Sequence, residues 1–173
     1  MTSIALVGLM GAGKSTIGAE LAERTGTELI DVDKVIEART GRTVRQLWED
    51  GGEAAYRALE SEIVLEALRG DHDLVVAVPG GVVLDPAARS ELANVDVIWL
   101  RADPTVLGGR VQAGDHRPLL GPDPAADLAV MAIARYELYE EVANFAIDTD
   151  DVDPATIADE ILRRLAARDG ERA

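Results

Sequence analysis

The chain has 173 residues, 47% apolar and 28% charged, which suits one folded domain with a single core between helical layers. Its 32 acids outnumber 17 bases, for a formal charge of −15, and so argue against a nucleic-acid groove or a binder of anionic membranes. The absence of cysteine excludes disulfides, thiolate metal sites and cysteine nucleophiles, and no apolar run approaches the roughly 20 residues of a membrane-spanning helix.

The first residues, MTSIALVGLMGAGKST, carry no basic stretch ahead of their apolar run. They read as a strand over Ile4 to Val7 rather than a secretory leader, and a cytoplasmic location is expected. A glycine-rich turn and a helix from about Lys14 to Arg24 follow. Next come a strand over Leu29 to Val32 and helical pieces around Val35 to Arg39 and Val44 to Glu49. An amphipathic helix is predicted from about Glu53 to Leu68, with Tyr56, Leu59, Ile63 and Ala67 on one face. Leu74 to Val78 is a continuous apolar strand of the doubly buried kind. Pro86 opens a short helix ending near Ala93, Val95 to Leu100 is a fourth strand, and Pro104 starts another helix. Ala125 to Val142 reads as a helix, Phe145 to Ile147 as a fifth strand, and Pro154 to Ala167 as a closing helix, with ARDGERA expected to fray beyond it. Strands separated by helices imply parallel pairing with right-handed crossovers, hence a three-layer α/β/α sandwich with a five-stranded parallel sheet over residues 1–173.

The strongest chemical signal is Gly8-Leu9-Met10-Gly11-Ala12-Gly13-Lys14-Ser15, a complete G-x-x-x-x-G-K-[ST] between a strand and a helix. Such a loop turns successive N–H groups, here from Gly11 through Thr16, towards a phosphate, and the helix start adds its positive end. Lys14 is one of only two lysines in the chain. It can reach the β- and γ-phosphates of ATP, while the Ser15 hydroxyl can ligate Mg²⁺. There is no N-K-x-D or D-x-x-G of a GTPase, and no D-G-x-P-R segment of a nucleoside monophosphate kinase. A small kinase with another acceptor remains.

Asp31 and Asp33 are read as the end of the second strand, where period-two alternation points both carboxylates the same way, over the phosphate loop. One would serve Mg²⁺ or its water and the other would take a proton from an acceptor hydroxyl. Arg57 and Arg135 offer guanidinium forks for an anionic acceptor, with ordinary surface ion pairs as the competing reading of each. Gly80 and Gly81 end a buried strand and would let backbone N–H groups approach a ligand; a plain turn is the alternative. The stretch Gln112 to Asp127 is rich in glycine and proline and reads as a mobile lid, about 112–126, with Arg117 placed to steady the transferring phosphoryl group.

Together GLMGAGKSTIG, LIDVDKVIEARTGRTV, GGEAAYRALE, VVAVPGGVV, HRPLL and ARYELYEEVA resemble the shikimate kinases in content, order and spacing over nearly the whole chain. The resemblance implies a P-loop kinase fold akin to the nucleoside monophosphate kinases, and transfer of the ATP γ-phosphoryl group to the 3-hydroxyl of shikimate. It casts Asp33 as base and acceptor ligand, within an acceptor-binding segment of about 32–61, and Asp31 as the acid near Mg²⁺. Arg57 and Arg135 become the pair that grips the shikimate carboxylate with help from Gly80 and Gly81, Arg117 the lid arginine, and Arg110 a neighbour of adenine. A monomer is expected. The chain departs from the family at Pro79, where three glycines are usual, and at Asp148 to Asp151, where relatives tend to be basic. The alternatives are a kinase for a modified shikimate or another hydroxy acid such as gluconate, and a non-catalytic nucleotide-binding module.

Overall fold

A computed structural model describes residues 3–70, 72–111 and 120–172. Five parallel strands, β1 (Ile4–Val7), β2 (Glu28–Asp31), β3 (Leu74–Ala77), β4 (Asp96–Arg101) and β5 (Phe145–Asp148), lie in the order β2-β3-β1-β4-β5. The register is regular: Leu6 stands opposite Ala77 on one side and Ile98 on the other. All four residues of β1 are buried, as expected of a central strand covered on both faces. The expected sandwich is what forms.

The helices are α1 (Lys14–Thr25), α2 (Val32–Thr40), α3 (Val44–Leu68), α4 (Pro86–Leu92), α5 (Pro104–Val111), α6 (Pro124–Val142) and α7 (Pro154–Arg172). Right-handed crossovers put α1, with α7 packed on it, on one face and α3, α4 and α6 on the other. A capping box starts α3: Gln46 N–H donates to Thr43 Oγ1 (3.2 Å) and Thr43 N–H to Gln46 Oε1 (2.9 Å). A break at Gly52 (φ 75°, ψ 174°) divides α3 where the sequence analysis separates its two helical pieces. The closing helix runs on to Arg172, past the expected end at Ala167. No helix among the described residues is long and apolar enough to cross a membrane.

Chain direction opens the crevice. From β1 the chain crosses to one side of the sheet, and from β3 to the other, so the carboxyl ends of these neighbours flank a switch point. The loop after β1 and the turn after β3 therefore face each other. Their approach is close, since a Cβ at Gly80 would lie 3.0 Å from the Gly8 carbonyl oxygen; Gly8 (φ 143°) is itself pressed against β4, where a Cβ would lie 2.4 Å from the Leu100 carbonyl oxygen.

Candidate active site

A cavity of about 550 Å³ fills this crevice and is lined by Gly11, Gly13, Lys14, Ser15, Thr16, Asp31, Asp33, Arg57, Gly80, Gly81, Arg110 and Arg135, with Tyr56 and Glu60 among them. The structure thus brings together every candidate among the described residues except Ala12, which is buried beneath the loop at 1% exposure. Arg117 lies outside the described residues. The lid assigned to about 112–126 is described only from residue 120, and α6 begins at Pro124, inside that range.

Helix α1 starts at Lys14 behind Gly13, whose left-handed backbone (φ 92°) supplies no side-chain cap. The helix start thus keeps N–H groups available to an anion. Lys14 Nζ donates to the carbonyls of Gly8 (2.8 Å) and Leu9 (2.9 Å), which holds the ammonium over the loop. From α5, Arg110 spans the loop and the far edge of the sheet, donating to Thr149 O (2.7 Å) and to Gly11 O (3.4 Å).

Asp31 and Asp33 do not share a strand face, contrary to the expectation from alternation. Strand β2 ends at Asp31, and Asp33 sits in the first turn of α2. Asp31 is the N-cap of that helix, accepting from Lys34 N–H (3.5 Å) while Lys34 Nζ stands 3.8 Å away. A capping aspartate terminates a strand, which the periodicity of four apolar and acidic residues does not reveal. Both acids still line the cavity, by a strand-to-helix junction rather than a shared strand face.

The two arginines meet at the turn after β3. Arg57 lies against Gly81: a Cβ there would be 2.3 Å from Nη1 and 2.6 Å from Cζ. Its Nη1 donates to Glu60 Oε2 (2.6 Å) and its plane lies 5.5 Å from the Trp48 ring centre, while Nη2 is buried with no hydrogen-bond partner among the described residues. Arg135 is 9% exposed, with Nη1 3.6 Å from a Cβ built at Gly80. Its register on α6 follows from aromatic packing, since Tyr136 meets Trp99 edge-on at 5.0 Å and Tyr139 lies 5.8 Å from the same ring. Burial pushes the Tyr139 hydroxyl well above the usual phenol range, and it donates to Gly80 O at 2.7 Å. That bond ties α6 to the turn.

Glu60 escapes notice in the sequence. It is 3% exposed, and burial pushes its carboxyl up to about 7 against the attraction of Arg57. Tyr139 and the hydroxyl of Tyr56 are missed as well. The available signal was spacing: Glu60 follows Tyr56 by four and precedes Ile63 by three, on the buried face of the predicted helix. The acidic stretch after β5 is spent on local partners, with Asp148 paired to Arg101 at 2.6 Å and Asp150 accepting from Asp103 N–H at 3.3 Å. Pro79 lines the cavity and its carbonyl accepts from Val82 N–H (3.1 Å).

The family model for shikimate kinase matches residues 10–166. The chain belongs to the shikimate kinase family. A shikimate kinase of Symbiobacterium thermophilum is 42% identical over 98% of this chain and 99% of its own. One of Thermobifida fusca is 40% identical over 94% of each chain. The solved shikimate kinase of Acinetobacter baumannii, in complex with shikimate, superimposes with a TM-score of 0.94 at 33% identity, covering 97% of this chain and 94% of that one. As a shikimate kinase family member the protein is an enzyme, a phosphotransferase with ATP as co-substrate.

The donors present suit the ion that accompanies ATP. Ser15 and Asp31 offer hard oxygen ligands on the cavity wall, and no group of three or more His, Asp or Glu among the described residues forms a metal cage of its own. A sparse oxygen set of this kind fits Mg²⁺, which keeps several waters and takes further ligands from phosphates.

Proposed function

We propose that this protein transfers the γ-phosphoryl group of ATP to the 3-hydroxyl of shikimate, giving shikimate 3-phosphate and ADP. The observation that carries the reading is the buried Nη2 of Arg57, without a hydrogen-bond partner among the described residues, beside Arg135 in the cavity that also holds the phosphate loop. A buried guanidinium donor calls for an acceptor, and a carboxylate supplies one in two-point geometry. A neutral acceptor would not need both arginines.

In this reading Asp33 takes the proton of the 3-hydroxyl as its oxygen bonds to the γ-phosphorus and the bond to the β-phosphate oxygen breaks. Lys14 and the N–H groups of Gly11 to Thr16 hold the phosphates and oppose their growing charge. Arg57, Arg135, Gly80 and Gly81 hold the acceptor, Arg110 borders the adenine, and Arg117 is assigned to steady the transferring group. Ser15 and, through water, Asp31 would hold Mg²⁺, which when bound supplies neutralisation of phosphate charge. A monomeric enzyme and a cytoplasmic location belong to the same reading. A coupled assay with shikimate and ATP tests it: ADP release that depends on shikimate is expected, and its absence overturns the reading.

Two further outcomes follow from the geometry. Gly81→Ala places a methyl group where the Arg57 guanidinium now lies. The flexible arginine yields before the backbone does, so Tm stays near the parent value while the Kd for shikimate, measured by calorimetry, rises about tenfold or more. The second outcome concerns protons. Arg57 opposes the effect of burial on Glu60, whose carboxyl titrates near 7. A shikimate carboxylate on Arg57 weakens that opposition and adds a negative charge nearby, so Glu60 is raised further and binding takes up a proton at and just above pH 7. The binding enthalpy will therefore vary with the ionisation enthalpy of the buffer, and Glu60→Gln will remove that variation. A buffer-independent enthalpy in the parent protein contradicts the coupling.

A further inference from the structure

The hydroxyl of Tyr56, on α3, stands 3.1 Å from Oδ1 of Asp33, in the first turn of α2. Tyr56 is 3% exposed and its ring tilts against Trp48 with centroids 5.8 Å apart, so the phenol has little freedom to move. Burial, and then the negative charges of Asp33 and Glu60, push the phenol far above its usual range. The hydroxyl keeps its proton and acts as the donor. Asp33, by contrast, is on the exposed side of its helix turn and faces the open cavity.

Packing does not account for the hydroxyl. A phenylalanine would fill the same space against Trp48 and would bury no polar group. The hydroxyl of Tyr56 lies instead between two carboxylates, 3.1 Å from the Asp33 oxygen assigned the proton of the acceptor and with Glu60 as its second acidic neighbour.

We propose that Tyr56 is a positioning residue for phosphoryl transfer, its hydroxyl fixing the Asp33 carboxylate in the orientation that meets the acceptor hydroxyl. The proposal rests on the functional reading above, because it gives Tyr56 no task if Asp33 is not the base. It acts through Asp33 and not on the substrate, and that distinction sets the test.

Initial rates and single-turnover rates are measured for the parent protein, Tyr56→Phe, Asp33→Ala and the double variant, with Tm recorded for each. Tyr56→Phe should lower kcat about tenfold, leave the KM for shikimate within about twofold and hold Tm near the parent value. In the Asp33→Ala background the same change should alter the residual rate by less than about twofold, because the group it orients is gone. An unchanged kcat in Tyr56→Phe, or the same fold-loss with and without Asp33, overturns the proposal. Absence of shikimate-dependent turnover in the unaltered protein would instead defeat the functional reading, and the proposal with it.

Discussion

Asp33→Asn will lower kcat by about a hundred- to a thousandfold while shikimate affinity and Tm stay near the parent values. Asparagine keeps the shape of the side chain and an oxygen that can accept from Tyr56, whose hydroxyl now stands 3.1 Å from the carboxylate. What it loses is the capacity to receive a proton. Phosphoryl transfer asks for little covalent help, since the loose transition state is served mainly by positioning and charge. The loss therefore falls short of abolition, leaving the phosphate loop and the arginines at work. Coupled measurement of ADP release gives kcat, and calorimetry gives the affinity. A kcat within about threefold of the parent value would remove Asp33 from the role of base.

Arg57→Ala is expected to act on the other side of the reaction. Losing one partner of a desolvated charge pair costs about 2–5 kcal/mol of shikimate binding, a factor of about thirty to several thousand in Kd. Turnover at saturating shikimate should fall much less. The protein itself feels the change through Glu60, which is 3% exposed and now accepts from Arg57 at 2.6 Å. Without the guanidinium, burial and the negative charge of Asp33 push that carboxyl further towards protonation, opposed only by a hydrogen bond from Tyr56. An uncompensated buried charge is thereby avoided, and the fall in Tm remains modest. Adding Glu60→Gln to Arg57→Ala should recover Tm without recovering affinity. An unaltered shikimate Kd in Arg57→Ala would contradict the proposed carboxylate grip.

Much of this arrangement is legible in the sequence. Short apolar runs such as Ile4 to Val7 have few ways to be buried between helical stretches, and a glycine-rich turn ending in Lys14 and Ser15 declares its chemistry locally. The break in α3 was also visible, because Gly51 and Gly52 interrupt the helical pattern between Glu49 and Glu53. Other features depend on contacts between distant segments and leave no local trace. That Asp31 stops a strand by capping α2 is decided by which hydrogen bonds the junction makes, and alternation alone could not separate it from a longer strand. That a side chain at Gly81 would displace the Arg57 guanidinium follows from where Arg57 lies, a residue 24 positions earlier on another element. Tyr56 and Glu60 belonged on the inner face of their helix by periodicity, yet periodicity treats that face as core. The structure shows it is also the wall of the cavity.

The central claim is that one cleft holds the acceptor by its carboxylate on Arg57 and Arg135, with its reacting hydroxyl at Asp33. A crystal structure of the protein with shikimate and a non-hydrolysable ATP analogue tests this most directly. The expected result has shikimate carboxylate oxygens within hydrogen-bond distance of both guanidiniums, the 3-hydroxyl on Asp33, and the terminal phosphate over Lys14. Shikimate bound with its carboxylate turned away from Arg57 and Arg135, or outside this cavity, would contradict it.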